Sequence, residues 1–316
     1  MWRNFPSRAR YADAMEHQAI TPPADAALSK DGNPFDANTT HALRGDYEVA
    51  KADYTVDLPW ETYTEEEHAR WRFLYNRQRT LLPGYAAPAF LEGLEALNAG
   101  EGIPRLEDAN KVLMEATGWT LVAVPGLIPD GAFFDHLANR RFPVAWWIRR
   151  EDELDYLVEP DIFHDFFGHV PLLSNPTFAA YMEKYGKGGP KAIEHGATNM
   201  LARLYWYIVE FGLIETPEGL RAFGAGMLSS KDETVYSVES RKPHRVRFSL
   251  ERALRTEYMV DDFQKTYFVI DSFDHLFEEC DRDFADIYDR LKELPSVKAH
   301  ELLATDDVIH EGAVTA

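Results

Sequence analysis

The stretch Glu159-Pro160-Asp161-Ile162-Phe163-His164-Asp165-Phe166-Phe167-Gly168-His169-Val170-Pro171 sets two histidines five residues apart around a glycine in an apolar run. Pro160 suits the first turn of a helix, and Asp161 follows near the positive end of the helix dipole. Residues five apart on an ideal α-helix point about 140° apart, at about 3.6 residues per turn. His164 and His169 therefore meet one ion only if the helix loosens between them, and Gly168 and Pro171 are the residues that would end it there. Taken alone, two such histidines are more often core residues than ligands.

A third residue changes that balance. Leu201 to Ile214 (LARLYWYIVEFGLI) reads as a helix that is apolar almost all round, so it should be buried, with Glu210 near its middle. A lone buried carboxylate costs several kcal/mol unless a cation, a proton or a hydrogen-bond donor compensates it. Arg203, seven residues away, is two helical turns distant. Two histidines and one carboxylate form the facial ligand set of non-haem Fe(II) oxygenases, which leaves coordination positions open. The same three residue types hold catalytic zinc in peptidases, but there the histidines stand four apart with a Glu directly after the first. Here the spacing is five and the neighbour is Asp165, which favours iron over zinc.

Around this centre the pattern is mainly helical. Residues 1–50 (with ITPPADAALSKDGNPFDANTTHALRGD) show no sustained period and read as an extended, partly disordered arm, with order beginning near Leu58-Pro59-Trp60. Thr64-Glu65-Glu66-Glu67 is a capping box that opens a helix carrying Trp71, Leu74, Tyr75 and Leu82, ended by Pro83-Gly84. Further helices are expected over Phe90–Leu97, closed by Asn98 and Gly100, and over Leu106–Ala116, closed by Gly118. Strands are expected at Trp119–Val124 and Pro143–Ile148, separated by the turn Pro129-Asp130-Gly131 and a short helix from Ala132. The longest helix is placed at roughly 196–214 and another at about 282–293, while Phe223–Val238 reads as a loop and hairpin. The fold class expected is mainly α (α+β). One domain over 56–294 is flanked by an N-terminal extension, 1–55, and a C-terminal tail, 295–316.

Composition removes several function classes. With 33 basic and 53 acidic side chains the formal charge is −20, which argues against a nucleic-acid or anionic-membrane partner. No apolar run approaches the ~18–20 residues needed to span a bilayer. The N-terminal MWRNFPSRARYADAMEHQ has no apolar stretch of the kind a secretory signal carries. Cys280 is the only cysteine, so no intrachain disulfide and no cysteine-built zinc site is possible. A cytoplasmic globular protein is expected.

EPDxFHDxFGHVPLL at 159–173, LYWYIVEFGL at 204–213 and FGAGMLSS at 223–230 resemble the signature segments of the pterin-dependent aromatic amino acid hydroxylases. The resemblance runs from about residue 60 to 290 and is nearest to the short bacterial members. It implies the family's helical-basket catalytic fold, with Fe(II) on His164, His169 and Glu210. It further implies a tetrahydropterin cofactor (tetrahydrobiopterin or a bacterial equivalent), O2 as co-substrate and L-phenylalanine as substrate, converted to L-tyrosine in the first step of phenylalanine catabolism. Arg149 matches the arginine that clamps the substrate carboxylate in a two-pronged geometry, with Asp161 orienting it. Ser229 matches a serine of the substrate and iron shell. Leu157, Pro160, Trp206, Phe211 and Gly226 fall at substrate-pocket positions, and Val269 at the position that distinguishes phenylalanine from tyrosine. The pterin is expected along Val124–Phe133, with Gly126, Ile128 and Asp130 offering backbone and side-chain contacts and Phe133 stacking. Asp165, Ala202 and Tyr205 match other pterin neighbours. Animal members carry a threonine at Leu157, a serine at Asp130 and more often a Glu at Asp165. They also carry a long tetramerisation helix, which Pro295 excludes here, so a monomer is expected. At this point a tryptophan or tyrosine hydroxylase of the same family, a zinc hydrolase and a non-catalytic metal-binding protein remain as alternatives.

Overall fold

The computed structural model describes residues 44–57, 60–155, 157, 159–260 and 262–314. The Thr64 hydroxyl accepts the Glu67 N–H at 3.2 Å, and the Glu67 carboxylate accepts the Thr64 N–H at 2.8 Å. This capping box opens α1 (Glu65–Leu81). The buried face of α1 carries Trp71, Leu74 and Tyr75. Trp71 meets Phe163 and Phe166 edge-on, and Tyr75 meets Phe167, so α1 is the shelf beneath the histidine-bearing segment. α2 (Pro88–Leu97) ends at Asn98 in the left-handed region, and α3 (Leu106–Ala116) is followed by Gly118 at φ +76°.

β1 (Thr120–Val124) and β2 (Arg141–Ala145) pair in parallel through α4 (Asp130–Ala138). The expected strand 143–148 is displaced towards the N-terminus. Its partner β1 ends at Val124, opposite Ala145, so Trp147 and Ile148 have no strand to pair with. Residues 44–57 run against this unit: Val56 N–H donates to Ala123 O at 2.9 Å, and the Tyr47 hydroxyl donates to Leu127 O at 2.8 Å. Residues 1–43, most of the expected arm, lie outside the described residues, as do Leu58 and Pro59.

The longest described helix is α5 (Pro176–Glu194), not the stretch at 196–214. Its glycines and Pro190 disguise it in the sequence, yet Gly186 and Gly189 serve packing against α4. A Cβ at Gly189 would fall 2.1 Å from Phe134 Cγ, and one at Gly186 would fall 2.4 Å from Ala138 N. The 196–214 stretch divides into α6 (Thr198–Leu204), a π-helix (Tyr205–Glu210) and β3 (Leu213–Thr216). An unbroken apolar run does not distinguish a buried helix from a buried strand. The hairpin expected within 223–238 lies earlier, between β3 and β4 (Gly219–Ala222). The 223–238 stretch is instead α7 (Ala225–Leu228) and α8 (Lys231–Glu239), the latter capped by Ser230.

A five-stranded sheet in the order β4-β3-β6-β5-β7 closes the other side, with β5 at His244–Arg247, β6 at Thr266–Ile270 and β7 at Val308–His310. α9 (Leu250–Arg255), α10 (Phe273–Cys280) and α11 (Ala285–Lys292) pack around it. The segment read as a C-terminal tail contributes β7, antiparallel to β5. No described helix is long and apolar enough to cross a membrane.

Candidate active site

The helix does loosen between the two histidines, but by widening rather than by ending. Phe163–His169 is a π-helix, in which i→i+5 hydrogen bonds bring residues five apart onto one face. His164 and His169 Nε2 come within 3.2 Å of each other. Glu210 is the last residue of the second π-helix, not the middle of a long α-helix, and its Oε2 and Oε1 lie 3.5 Å and 3.2 Å from the two Nε2 atoms. Three donors each about 2.1 Å from one ion, set at right angles, stand about 3 Å apart, so the spacing fits a facial ligand set.

Ser229 selects the tautomer of His164. Its hydroxyl donates its single hydrogen to Ala225 O at 2.8 Å, so towards His164 Nδ1, 3.0 Å away, it acts as acceptor. The imidazole hydrogen therefore sits on Nδ1, and the Nε2 lone pair points at the other two donors. Burial alone would raise the Glu210 carboxyl, but His169 and His164 outweigh it and hold it well below the usual carboxylate range. Burial lowers both histidines; at His169 it prevails, whereas at His164 the Glu210 charge overcomes it and the net shift is upward. A carboxylate oxygen of Asp165 also lies within 4.8 Å of the histidine nitrogens. Its Oδ2 already accepts the Ala145 N–H at 2.7 Å, and burial raises its pKa to about 7, so Glu210 is the better anionic donor.

Asp161, fully buried, joins this centre to Arg149. Its Oδ2 accepts from Arg149 Nε at 2.8 Å and its Oδ1 from Nη2 at 2.8 Å, while Oδ1 also takes the His164 N–H at 2.9 Å. The two-pronged fork expected to face the substrate is thus engaged by Asp161. Arg149 Nη1 has no hydrogen-bond partner among the described residues, and it is the arm left for an incoming carboxylate.

Trp206, within the second π-helix, and Phe211, just after it, have ring centres 4.8 Å apart, and a Cβ at Gly226 would strike Phe211 Cζ at 2.8 Å. Tyr258, which no sequence pattern singled out, stacks on Trp206 at 4.4 Å. Leu157 is half-buried in the loop leading to Glu159. Val269 is 1% exposed inside β6, in register with Leu213, three residues after Glu210, and with Arg247.

A cleft partly open to solvent reaches the three donors. Its outer wall is Gly126, Leu127, Ile128 and Phe133, and Tyr205, Pro160 and Asp165 line it nearer His164, His169 and Glu210. Phe142 and Pro143 of β2 also line it; the sequence reading placed Pro143 at the start of a strand and gave Phe142 no role. Asp130, at the start of α4, and Ala202, buried in α6, are not part of that lining.

Two histidines and one carboxylate converging from two π-helices within a mainly helical shell define a 2-His-1-carboxylate protein. The family described as biopterin-dependent aromatic amino acid hydroxylase matches residues 2–306, and the chain belongs to that family. Phenylalanine-4-hydroxylase of Ralstonia nicotianae is 52% identical over 301 residues, covering 93% of this chain and 96% of that protein. An iron- and phenylalanine-bound crystal structure of Chromobacterium violaceum phenylalanine hydroxylase, 54% identical, superposes with a TM-score of 0.79 over 82% of this chain and 96% of that one. The same enzyme with bound iron(III) and oxidised 7,8-dihydrobiopterin, 56% identical, gives 0.80 over 82% and 94%.

Proposed function

We infer that this chain is an Fe(II)- and tetrahydropterin-dependent monooxygenase that hydroxylates L-phenylalanine to L-tyrosine with O2. Its relatives carry that activity in their names, and related structures hold iron, phenylalanine and dihydrobiopterin. The observation that carries the reading is the convergence of His164, His169 and Glu210 donors within 3.5 Å at the end of a cleft. Those three residues would hold the iron, which together with the pterin supplies the activation of O2. The remaining work falls to the chain. Ser229 keeps the His164 Nε2 lone pair free, and Arg149, braced by Asp161, binds the substrate carboxylate. Trp206, Phe211 and the bare backbone at Gly226 hold the aromatic ring and exclude water.

The loop Gly126–Ile128 with Phe133 offers the pterin an edge and a stacking face. Its shape depends on Gly126: a Cβ there would lie 2.5 Å from Glu159 Oε1 and 3.1 Å from the Tyr47 hydroxyl oxygen. Gly126→Val is expected to raise the KM for tetrahydropterin about tenfold, equivalent to about 1.4 kcal/mol, with iron content unchanged. An unaltered pterin KM would remove this loop from the cofactor site.

The reading extends to a catalytic unit over residues 56–294 that acts as a cytoplasmic monomer, in keeping with the lone Cys280 and the −20 charge. Sedimentation velocity tests the oligomeric state. Tyrosine formation from phenylalanine, with Fe(II), tetrahydropterin and O2 omitted in turn, tests the activity: each omission is expected to abolish product. Competition among phenylalanine, tyrosine and tryptophan is expected to favour phenylalanine, and equal or better use of the others would reassign the substrate. Activity retained with zinc in place of iron would overturn the redox reading.

A further inference from the structure

The indole of Trp206 is held from behind by one amide side chain. Gln264, 2% exposed, lies just before β6, and its Oε1 accepts the Trp206 indole N–H at 2.9 Å. Its Nε2 donates to Met259 O at 2.9 Å, and its backbone N–H donates to Glu233 Oε1 at 3.2 Å. Glu233, also buried, accepts the Tyr267 hydroxyl at 2.5 Å and sits in the first turn of α8. That helix is capped by Ser230, the residue after Ser229, which accepts from His164 Nδ1. Trp206 belongs to the π-helix that ends in Glu210. A continuous path of covalent and hydrogen bonds therefore runs from His164 to Glu210 by way of Gln264.

Three contacts surround the indole. Tyr258 covers one face at 4.4 Å and 16°, Phe211 meets it at 4.8 Å and 38°, and Gln264 takes its N–H. Aromatic stacking tolerates sliding and rotation, whereas an N–H···O bond weakens steeply as its angle departs from linear. Only the Gln264 contact is directional enough to select one ring orientation. Without that acceptor a partly buried N–H loses its protein partner, and the ring turns or takes a water in its place.

We propose that Gln264 is a positioning residue that fixes the Trp206 indole and, through it, the pose of the substrate ring beside the metal centre. This rests on the reading of Trp206 as a wall of the phenylalanine pocket. The other role open to Gln264 is bracing the 257–264 loop through Met259 O, and two variants separate the roles. Gln264→Met removes all three side-chain hydrogen bonds, including a longer one from Nε2 to Asp262 O at 3.4 Å, whereas Gln264→Glu keeps an acceptor for the indole and loses the donor to Met259 O and Asp262 O.

The test uses iron-loaded full-length protein and measures phenylalanine binding by calorimetry, KM, kcat, and tyrosine formed per tetrahydropterin oxidised. Gln264→Met is expected to weaken phenylalanine binding at least fivefold and to lower the product-to-pterin ratio at least twofold, with iron content as in the unmutated protein. Gln264→Glu is expected to restore most of both. In a Trp206→Phe background, which has no N–H, Gln264→Met should add no further change. Equal losses in the Met and Glu variants, or an undiminished Met effect in the Trp206→Phe background, would assign Gln264 to the loop and overturn the proposal. Should Gln264→Met fail to fold, Trp206→Phe deletes the same bond from the indole side and must reproduce the loss of the product-to-pterin ratio. An unmutated protein that neither binds nor hydroxylates phenylalanine overturns the functional reading itself, an outcome distinct from a variant that matches a working parent.

Discussion

Glu210→Gln is expected to leave a folded protein that loses iron on dialysis and forms no measurable tyrosine. Among the described residues Glu210 is the carboxylate paired with both imidazoles, at 3.5 Å and 3.2 Å, and it is held ionised between them. An amide of the same shape fills the space but lacks the anionic oxygen that a hard divalent cation prefers. Loss of a residue that merely supports a ligand costs about 10–100-fold in metal affinity, so loss of the ligand itself should exceed about 100-fold. Metal analysis after dialysis, and turnover at saturating Fe(II), measure the two effects separately. Asp165→Asn is the informative companion. Its carboxylate is already bonded to the Ala145 N–H, so iron should stay bound. Normal iron content in Glu210→Gln with loss in Asp165→Asn would exchange the two assignments.

Arg149→Lys is expected to raise the KM for phenylalanine by one to two orders of magnitude, with iron content near that of the unmutated protein. Hydrogen bonds to charged groups contribute about 1.5–3 kcal/mol, and roughly 1.4 kcal/mol corresponds to each factor of ten. Lysine keeps the charge but cannot bond both Asp161 oxygens and still present a third arm to the substrate. Asp161 is 0% exposed, so it would retain its charge in a buried position with one bond fewer, and thermal stability should fall as well. Phenethylamine, which lacks the carboxylate, is expected to react similarly with both proteins. An unchanged KM for phenylalanine would remove Arg149 from the site.

Some neighbours of the site carry no signal in the sequence. Val269, which the family resemblance places near the substrate pocket, is a buried residue of β6 in register with Leu213 and Arg247. Besides Phe211, Trp206 stacks on Tyr258, which lies in a segment with no periodic signal. Likewise Ser230-Lys-Asp-Glu233 was a readable helix cap inside a stretch taken for a hairpin, where Gly224 and Gly226 had outweighed it.

What the sequence determined by itself was local or forced by burial. The Thr64–Glu67 cap, the α2 and α3 boundaries, and the presence of a strand on either side of α4 follow from chemistry within a few residues. The association of His164, His169 and Glu210 followed from the cost of leaving a carboxylate in an apolar segment without a partner. The tertiary structure decided everything that depended on which atom faces which. The π-helical widening puts histidines five apart on one face, and hydrogen-bond partners far along the chain do the rest: Ser229 on His164 Nδ1, Asp161 on the Arg149 fork, Gln264 on Trp206. Periodicity reports how much of a segment is buried but carries no information about a partner 12, 58 or 65 residues away. Those partners exist only once the chain has folded, because each bond is directional and is set by the packing of the elements that carry its two ends.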